Sequence, residues 1–352
     1  MLTLNSLVAL IPLPPLLAFV VIALFSHRSK KTSHSVALIG AGLSFIASMV
    51  VFIKAVTTSN LAADPLTAAI NWLPTGSTWL KIGVLVDPLT AIMLLFVAWT
   101  ILMIFIYSIG YHNYGQPAGK HDRPGLPPEG AEVSDHGKVH KVPSVEPMYS
   151  RFFALLCLFA FAMYLLVVSD NLLTLYIGWE IMGFCSYFLI GFWYGKDSAR
   201  RAGIKAFITT RIGDVFMLLG IVALYSAAGT LNFHEIFSNT ELMNRLISTS
   251  SPVFGWSWTE LIGILLFCGT VGKSAQFPLH VWLPDAMEGP TPVSAMIHAA
   301  TMVSAGVYLS IRVFPILSAG WAPGEPLTLP MTVMAVIGSF TALFTSTIAV
   351  AQ

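Results

Sequence analysis

Five ionisable side chains fall where the sequence is otherwise apolar. Glu180 lies in NLLTLYIGWEIMGFCSYFLIGFW, Arg211 and Asp214 in TTRIGDVFMLLG, Lys273 in TVGKSAQFPLH and His298 in SAMIHAATMVSAGVY. A charge at the centre of a bilayer costs several kcal/mol, on the order of 3 on insertion scales, and such groups mark ion paths and proton relays. Here two acids stand against two bases, the balance a desolvated network requires. Glu180 suits a proton-bearing carboxylate, or a carboxylate at a polar packing seam. Arg211 and Asp214 are three residues apart and share a helix face, which serves an ion pair or a relay equally. A nearby carboxylate favours the charged form of a buried lysine and desolvation favours the neutral form. Lys273 can therefore gain and lose a proton as its partner moves, with Glu180 the expected partner. His298 titrates near neutrality when unperturbed, and suits either a proton relay or a helix–helix hydrogen bond. Pro278, five residues past Lys273, is expected to break that helix, and Pro284, Gly289, Pro290 and Pro292 punctuate the next stretch. A broken helix frees backbone groups that can hold water and sets a helix-end dipole beside the lysine.

The elements that must hold these groups are membrane helices. The chain is 56% hydrophobic and 10% charged, against roughly 25% charged in soluble domains. Spans of ~20 apolar residues are expected at about nine places: 6–26, 35–56, 85–109, 151–169, 171–194, 203–227, 259–290 (broken), 292–315 and 328–350. Twelve of the eighteen Lys and Arg residues fall in the loops after the first, third and fifth spans. That asymmetry predicts basic loops in the cytoplasm and the N-terminus outside. Residues 57–84 read as an external hairpin or loop. Residues 111–150, rich in Pro, Gly and charge, read as a flexible cytoplasmic insertion. Its histidines, His112, His121, His136 and His140, lack the spacing of a metal site. Residues 229–257 hold short amphipathic pieces. Cys157, Cys185 and Cys268 sit in apolar runs without metal or disulfide spacing. A net charge of +1 argues against a nucleic-acid surface. No haem, iron–sulfur, P-loop or dinucleotide fingerprint is present.

The run GKSAQFPLHVWLPDAMEGPTPVSAMIHAATMVSAGVYL resembles the signature of the proton-translocating, antiporter-like subunits of respiratory complex I, and of Mrp-type sodium/proton antiporters. TTRIGDVFMLLG, SDNLLTLYIGWEIMGFCSYFLIGFWY and VDPLTAIMLLFVAWTILMIFIYSIGYH are similar to the L-type subunits of bacterial NADH:quinone oxidoreductase. The resemblance implies an all-α polytopic membrane protein. Spans four to eight (151–315) would form a first five-helix repeat with one broken helix, and 316–352 would begin a second, inverted repeat, truncated here. It implies a proton path through Glu180, Lys273 and His298, a coupling pair in Arg211 and Asp214, and a break at Pro278 and Pro284. It implies no cofactor or metal in this chain, with FMN, iron–sulfur clusters, NADH and quinone handled by other subunits. Expected partners are other complex I membrane subunits, chiefly the M-type one, in a bacterial plasma membrane. An Mrp-type antiporter subunit, or a subunit of a hydrogen-, ferredoxin- or F420-linked complex, stands beside that reading. Family subunits continue past Gln352, so the chain is expected to hold half of a proton route.

Overall fold

A computed structural model describes residues 4–75, 78–135 and 138–351; His136 and Gln352 lie outside the described residues. The first span is built from α1 (Leu4–Leu10), α2 (Leu13–Val21) and a π turn over Ile22–Ser26. α3 (Lys30–Thr57) starts at Ser29, whose hydroxyl accepts the Thr32 N–H. An antiparallel hairpin, β1 (Leu66–Thr75) and β2 (Thr78–Val86), leads into α4 (Pro88–Tyr111). Asp87 caps α4 by accepting the Thr90 N–H, and Pro88 fits the first turn, where no N–H is needed. A second hairpin, β3 (Ala131–Asp135) and β4 (Lys138–Val142), precedes α5 (Tyr149–Val168), α6 (Leu172–Ile190) and α7 (Asp197–Ala228). Two short helices, α8 (Phe233–Phe237) and α9 (Thr240–Ser248), are the amphipathic pieces expected in 229–257. Then come α10 (Trp258–Lys273), α11 (Thr291–Ala295), α12 (Met302–Arg312), α13 (Phe314–Leu317) and α14 (Leu329–Ala351).

Among the described residues, eight helical segments are long and apolar enough to cross a membrane. The chain is a multi-pass membrane protein, mostly helical, with the two hairpins at the ends of its helices. The expected span at 259–290 is not a kinked continuous helix. α10 has 16 residues, short of the ~20 a crossing needs, and two 3₁₀ turns, Leu279–Trp282 and Asp285–Glu288, come after it. α5 is the most enclosed of the crossing helices: Phe152, Phe153, Leu156, Phe159, Met163, Tyr164 and Val167 are fully buried, and a stripe of Arg151, Leu155, Leu158, Phe161 and Leu165 is left partly exposed. α2, α3, α4, α6 and α12 pack around it, α7 packs on α6, and α10 packs on α7 and α12. α14 stands outermost, resting on α10 and on the stretch after it.

The helix ends sort by charge. The Gly195 N–H donates to the Gly125 carbonyl at 2.8 Å, and Trp193 Nε1 donates to Glu146 at 3.2 Å. Lys196 pairs with Glu288 at 2.7 Å. These contacts gather the basic loops at one end. At the other end Asn171 and Asn232 both bond Asp170, and Asn171 reaches the Lys81 carbonyl at 3.0 Å. Residues 111–150 carry more structure than their composition predicts. Asp122 accepts the N–H groups of Gly119 and Glu129, Ser144 accepts that of Gly130, and Glu146 and His112 are buried against the bundle. Local side-chain acceptors and buried anchors do there what an apolar core does elsewhere.

Candidate functional site

The site lies where α6, α7 and α10 meet. α7 and α10 pack along most of the length of α10, because glycines remove the side chains between them. A Cβ on Gly213 would sit 2.7 Å from the Cys268 carbonyl oxygen, and one on Gly269 2.8 Å from the Met217 sulfur. Small residues at a membrane helix interface allow this approach. It brings Lys273, last residue of α10, to Asp214 on α7.

Lys273 Nζ lies 3.3 Å from Asp214 Oδ2, with the two side chains 0% and 2% exposed. Trp179 on α6 donates its Nε1–H to Asp214 Oδ1 at 2.6 Å, and the Lys273 ammonium sits 5.8 Å from the Trp179 ring centre. Tyr176, one turn earlier, donates its hydroxyl to the Asp214 backbone carbonyl. One further turn on, Gly183 makes room for the ammonium: a Cβ there would lie 2.6 Å from Nζ. Tyr176, Trp179, Glu180 and Gly183 follow the i, i+3, i+4, i+7 spacing of one helix face. Beside this pair, Arg211 Nη1 meets Glu180 Oε2 at 2.5 Å, and the guanidinium lies 4.7 Å from the Phe207 ring centre. This second pair is less enclosed, at 38% and 21% side-chain exposure.

The partners are thus exchanged relative to expectation. Glu180 pairs with Arg211 and not with Lys273, and Asp214 with Lys273 and not with Arg211. The reason is position along α7: Asp214 lies where α6 and α10 both reach it, through Trp179 and Lys273, while Arg211, one turn earlier, meets Glu180 on α6.

The break after Lys273 is also built differently. α10 ends in a Schellman cap: the Gln276 N–H donates to Val271 O at 2.9 Å and the Ala275 N–H to Gly272 O. Ala275 takes the left-handed position usually held by glycine, with φ of 51°. The helix therefore stops at Lys273, before Pro278 acts. Trp282 Nε1 donates to Gly272 O at 3.0 Å, so carbonyls expected to be free for water are satisfied by protein. The lysine sits at the C-terminal end of α10, where the helix dipole is negative. Pro284 lies between the two 3₁₀ turns.

His298 falls in a second discontinuity that the sequence did not suggest. A π turn over Met296–Ala300 ends at Thr301, whose N–H and hydroxyl both donate to Met296 O. Ser274, next to Lys273, donates to Val303 O at 2.8 Å, which ties the α10 cap to α12 just past this turn. Among the described residues no hydrogen bond joins His298 to Lys273. Lys273 Nζ, Glu180 Oε1 and His298 Nε2 are buried atoms without a hydrogen-bond partner there, the Nζ–Asp214 approach being an ion pair without hydrogen-bond geometry. Buried polar groups are mostly hydrogen-bonded, and Gln276 Oε1 and His280 Nδ1, in the stretch after the α10 cap, also lack a partner among the described residues. Trp179, Tyr176 and Gly183 escaped sequence reasoning; the signal that could have found them is their helical spacing from Glu180.

The fold and site define a membrane helix bundle carrying paired charges at depth. A family described as "NADH:quinone oxidoreductase/Mrp antiporter, TM" matches residues 169–352, and one described as "NADH-Ubiquinone oxidoreductase (complex I), chain 5 N-terminus" matches 72–113. The chain belongs to the NADH:quinone oxidoreductase/Mrp antiporter transmembrane family. It is 38% identical over 349 residues to NADH-quinone oxidoreductase subunit L of Rickettsia felis, covering 99% of this chain and 47% of the relative. It is 39% identical to chloroplastic NAD(P)H-quinone oxidoreductase subunit 5 of Zygnema circumcarinatum, covering 99% and 44%. It is 40% identical to F(420)H(2) dehydrogenase subunit L of Methanosarcina mazei, covering 97% and 46%. The chain spans less than half the length of these curated relatives. Among solved structures, the Mrp complex from Dietzia sp. superposes with a TM-score of 0.61 at 23% identity, covering 88% of this chain and 28% of that one. The archaeal membrane-bound sulfane sulfur reductase superposes at 0.67 and 18%, covering 94% and 56%; both likenesses are of fold alone.

Proposed function

We propose that this chain is the proton-carrying first half of an L-type subunit of NADH:quinone oxidoreductase. It would move protons across the membrane while other subunits pass electrons from NADH to quinone. The observation that carries the reading is the row of alternating charges, Arg211–Glu180 beside Asp214–Lys273, on three packed helices. Such a row is bistable. If Glu180 leaves Arg211, the guanidinium is one helical turn from Asp214 and competes for its carboxylate. Lys273, with its counter-charge drawn away, then gives up its proton more readily. Water entering at the unpartnered Lys273 Nζ and His298 Nε2 would carry that proton toward His298 and onward. A change in the partner subunit reaches Glu180 and Arg211 first, because these are the more exposed pair. On this reading the chain binds no cofactor of its own; FMN, iron–sulfur clusters, NADH and quinone belong to other subunits. The M-type antiporter-like subunit is the expected neighbour, the bacterial inner membrane the location, and the basic loops the cytoplasmic face.

A second reading, a subunit of an Mrp-type cation/proton antiporter, is supported by the family model, whose description names Mrp antiporters beside NADH:quinone oxidoreductase. The Methanosarcina relative supports a further electron donor, reduced F420. Inverted membrane vesicles carrying the full-length protein in its complex separate them. Proton uptake driven by NADH and independent of sodium is the expected result. Sodium-dependent proton exchange without NADH would support the antiporter instead, and uptake driven by reduced F420 alone the other donor.

A further inference from the structure

We propose that a groove at the basic end of the bundle, between the first span and α5, binds the headgroup of an anionic phospholipid. The groove encloses about 510 Å³. Its rim carries four basic side chains, His27, Arg28, Lys30 and Arg151. Its floor is apolar, with Phe19 and Ile22 from the first span and Leu155 from α5. Below the rim, that span turns Leu17, Leu24 and Phe25 outward, at 62%, 64% and 76% exposure, where acyl chains would lie.

Buried hydrogen bonds fix the walls. The Ser33 hydroxyl bonds the Ser26 carbonyl and the Ser150 hydroxyl, each at 2.9 Å, tying the ends of three helices around the groove. The π turn over Ile22–Ser26 widens the first span at this level. Arg28 and Arg151 are exposed and form no ion pair among the described residues. Arg151 lies against the Phe188 and Tyr194 rings at 5.9 and 5.6 Å, contacts that occupy its face and leave its N–H edges for an anion. Glu146 and Asp122 act electrostatically on Lys30, so the uncompensated charge rests mainly on Arg28 and Arg151. Glu146 itself is already bonded by the Met148 N–H and by Trp193. A basic rim over an apolar floor at a helix end selects a lipid over a soluble phosphate, and an anionic lipid over a zwitterionic one.

The test is native mass spectrometry of the full-length protein in its delipidated complex, titrated with phosphatidylglycerol or with phosphatidylcholine of the same chains. Arg28→Ser with Arg151→Ser should remove one phosphatidylglycerol per copy of this chain, or weaken it about 30-fold at ~1 kcal/mol per arginine. Leu155→Trp, which fills the groove without touching a charge, should displace the same lipid. Unchanged phosphatidylglycerol binding in all variants would overturn the proposal. Equal loss of phosphatidylcholine would show an apolar groove without headgroup selection, and competition by inorganic phosphate a soluble-anion site; either also overturns it.

Discussion

Lys273 keeps company with Asp214, Trp179 and Gly183, and each does a different job. Asp214 supplies counter-charge, Trp179 orients that carboxylate, and Gly183 gives the ammonium its space. Removing one member of a buried pair costs ~3–5 kcal/mol, because the other charge stays buried alone. A double-mutant cycle on thermal stability should therefore give Asp214→Asn and Lys273→Met a coupling of about 2 kcal/mol or more. The same cycle with Glu180→Gln and Lys273→Met should stay under about 1 kcal/mol, and the reverse order would refute the pairing. The residues at risk were visible in the sequence, since Glu180, Arg211, Asp214, Lys273 and His298 have no loop to belong to. Their partners were not visible. A spacing of three places Arg211 and Asp214 on one face but does not say which neighbouring helix each side of that face meets.

At the scale of the element, α10 ends by its own backbone and not by a proline. Ala275 holds a conformation that costs a non-glycine residue ~1–2 kcal/mol. Ala275→Gly should leave stability unchanged or raise it by up to about 1 kcal/mol, while Ala275→Val should lower it by about as much. Equal thermal midpoints for both variants would show that the cap is not what stops the helix. The proline-rich stretch announced a break, and a break is there. Its position was hidden because an alanine, Ala275, fills the place where glycine would have signalled the cap. The π turn at His298 was hidden for a similar reason: Met296–Ala300 reads as ordinary helix, and only the bonds of Thr301 to Met296 reveal the extra residue.

Across the whole molecule, the end opposite the basic loops is held by a buried clamp. Arg312, at the end of α12, bonds both carboxylate oxygens of Asp87, the Thr90 hydroxyl and the Tyr308 hydroxyl. Tyr308 in turn donates to the Val167 carbonyl of α5 at 2.8 Å. Asp87 caps α4, so one arginine joins three helices. Burial would raise the Asp87 carboxyl, but the Arg312 bonds and charge, with those of Thr90, hold it below the usual carboxylate range. Arg312→Met should lower stability by ~3 kcal/mol or more, and adding Asp87→Asn should restore part of the loss by removing the stranded charge. A double variant whose loss equals the sum of the two single losses would contradict the clamp. Sequence patterning came close on the number of crossings and anticipated the sorting of charge and the first hairpin, since these follow from length and polarity. It undervalued 111–150, where buried Glu146 and His112 order a segment whose average composition suggests none.

Proton yield per electron tests most directly whether Lys273 is a proton-bearing station. In vesicles with the full-length protein in its assembled complex, NADH-driven proton uptake would be measured against NADH oxidised, for the native protein and for Lys273→Met. A lower ratio of protons to electrons together with slower turnover, in a complex that assembles normally, is the predicted result. An assembled Lys273→Met complex that pumps at the native ratio and rate would contradict that role.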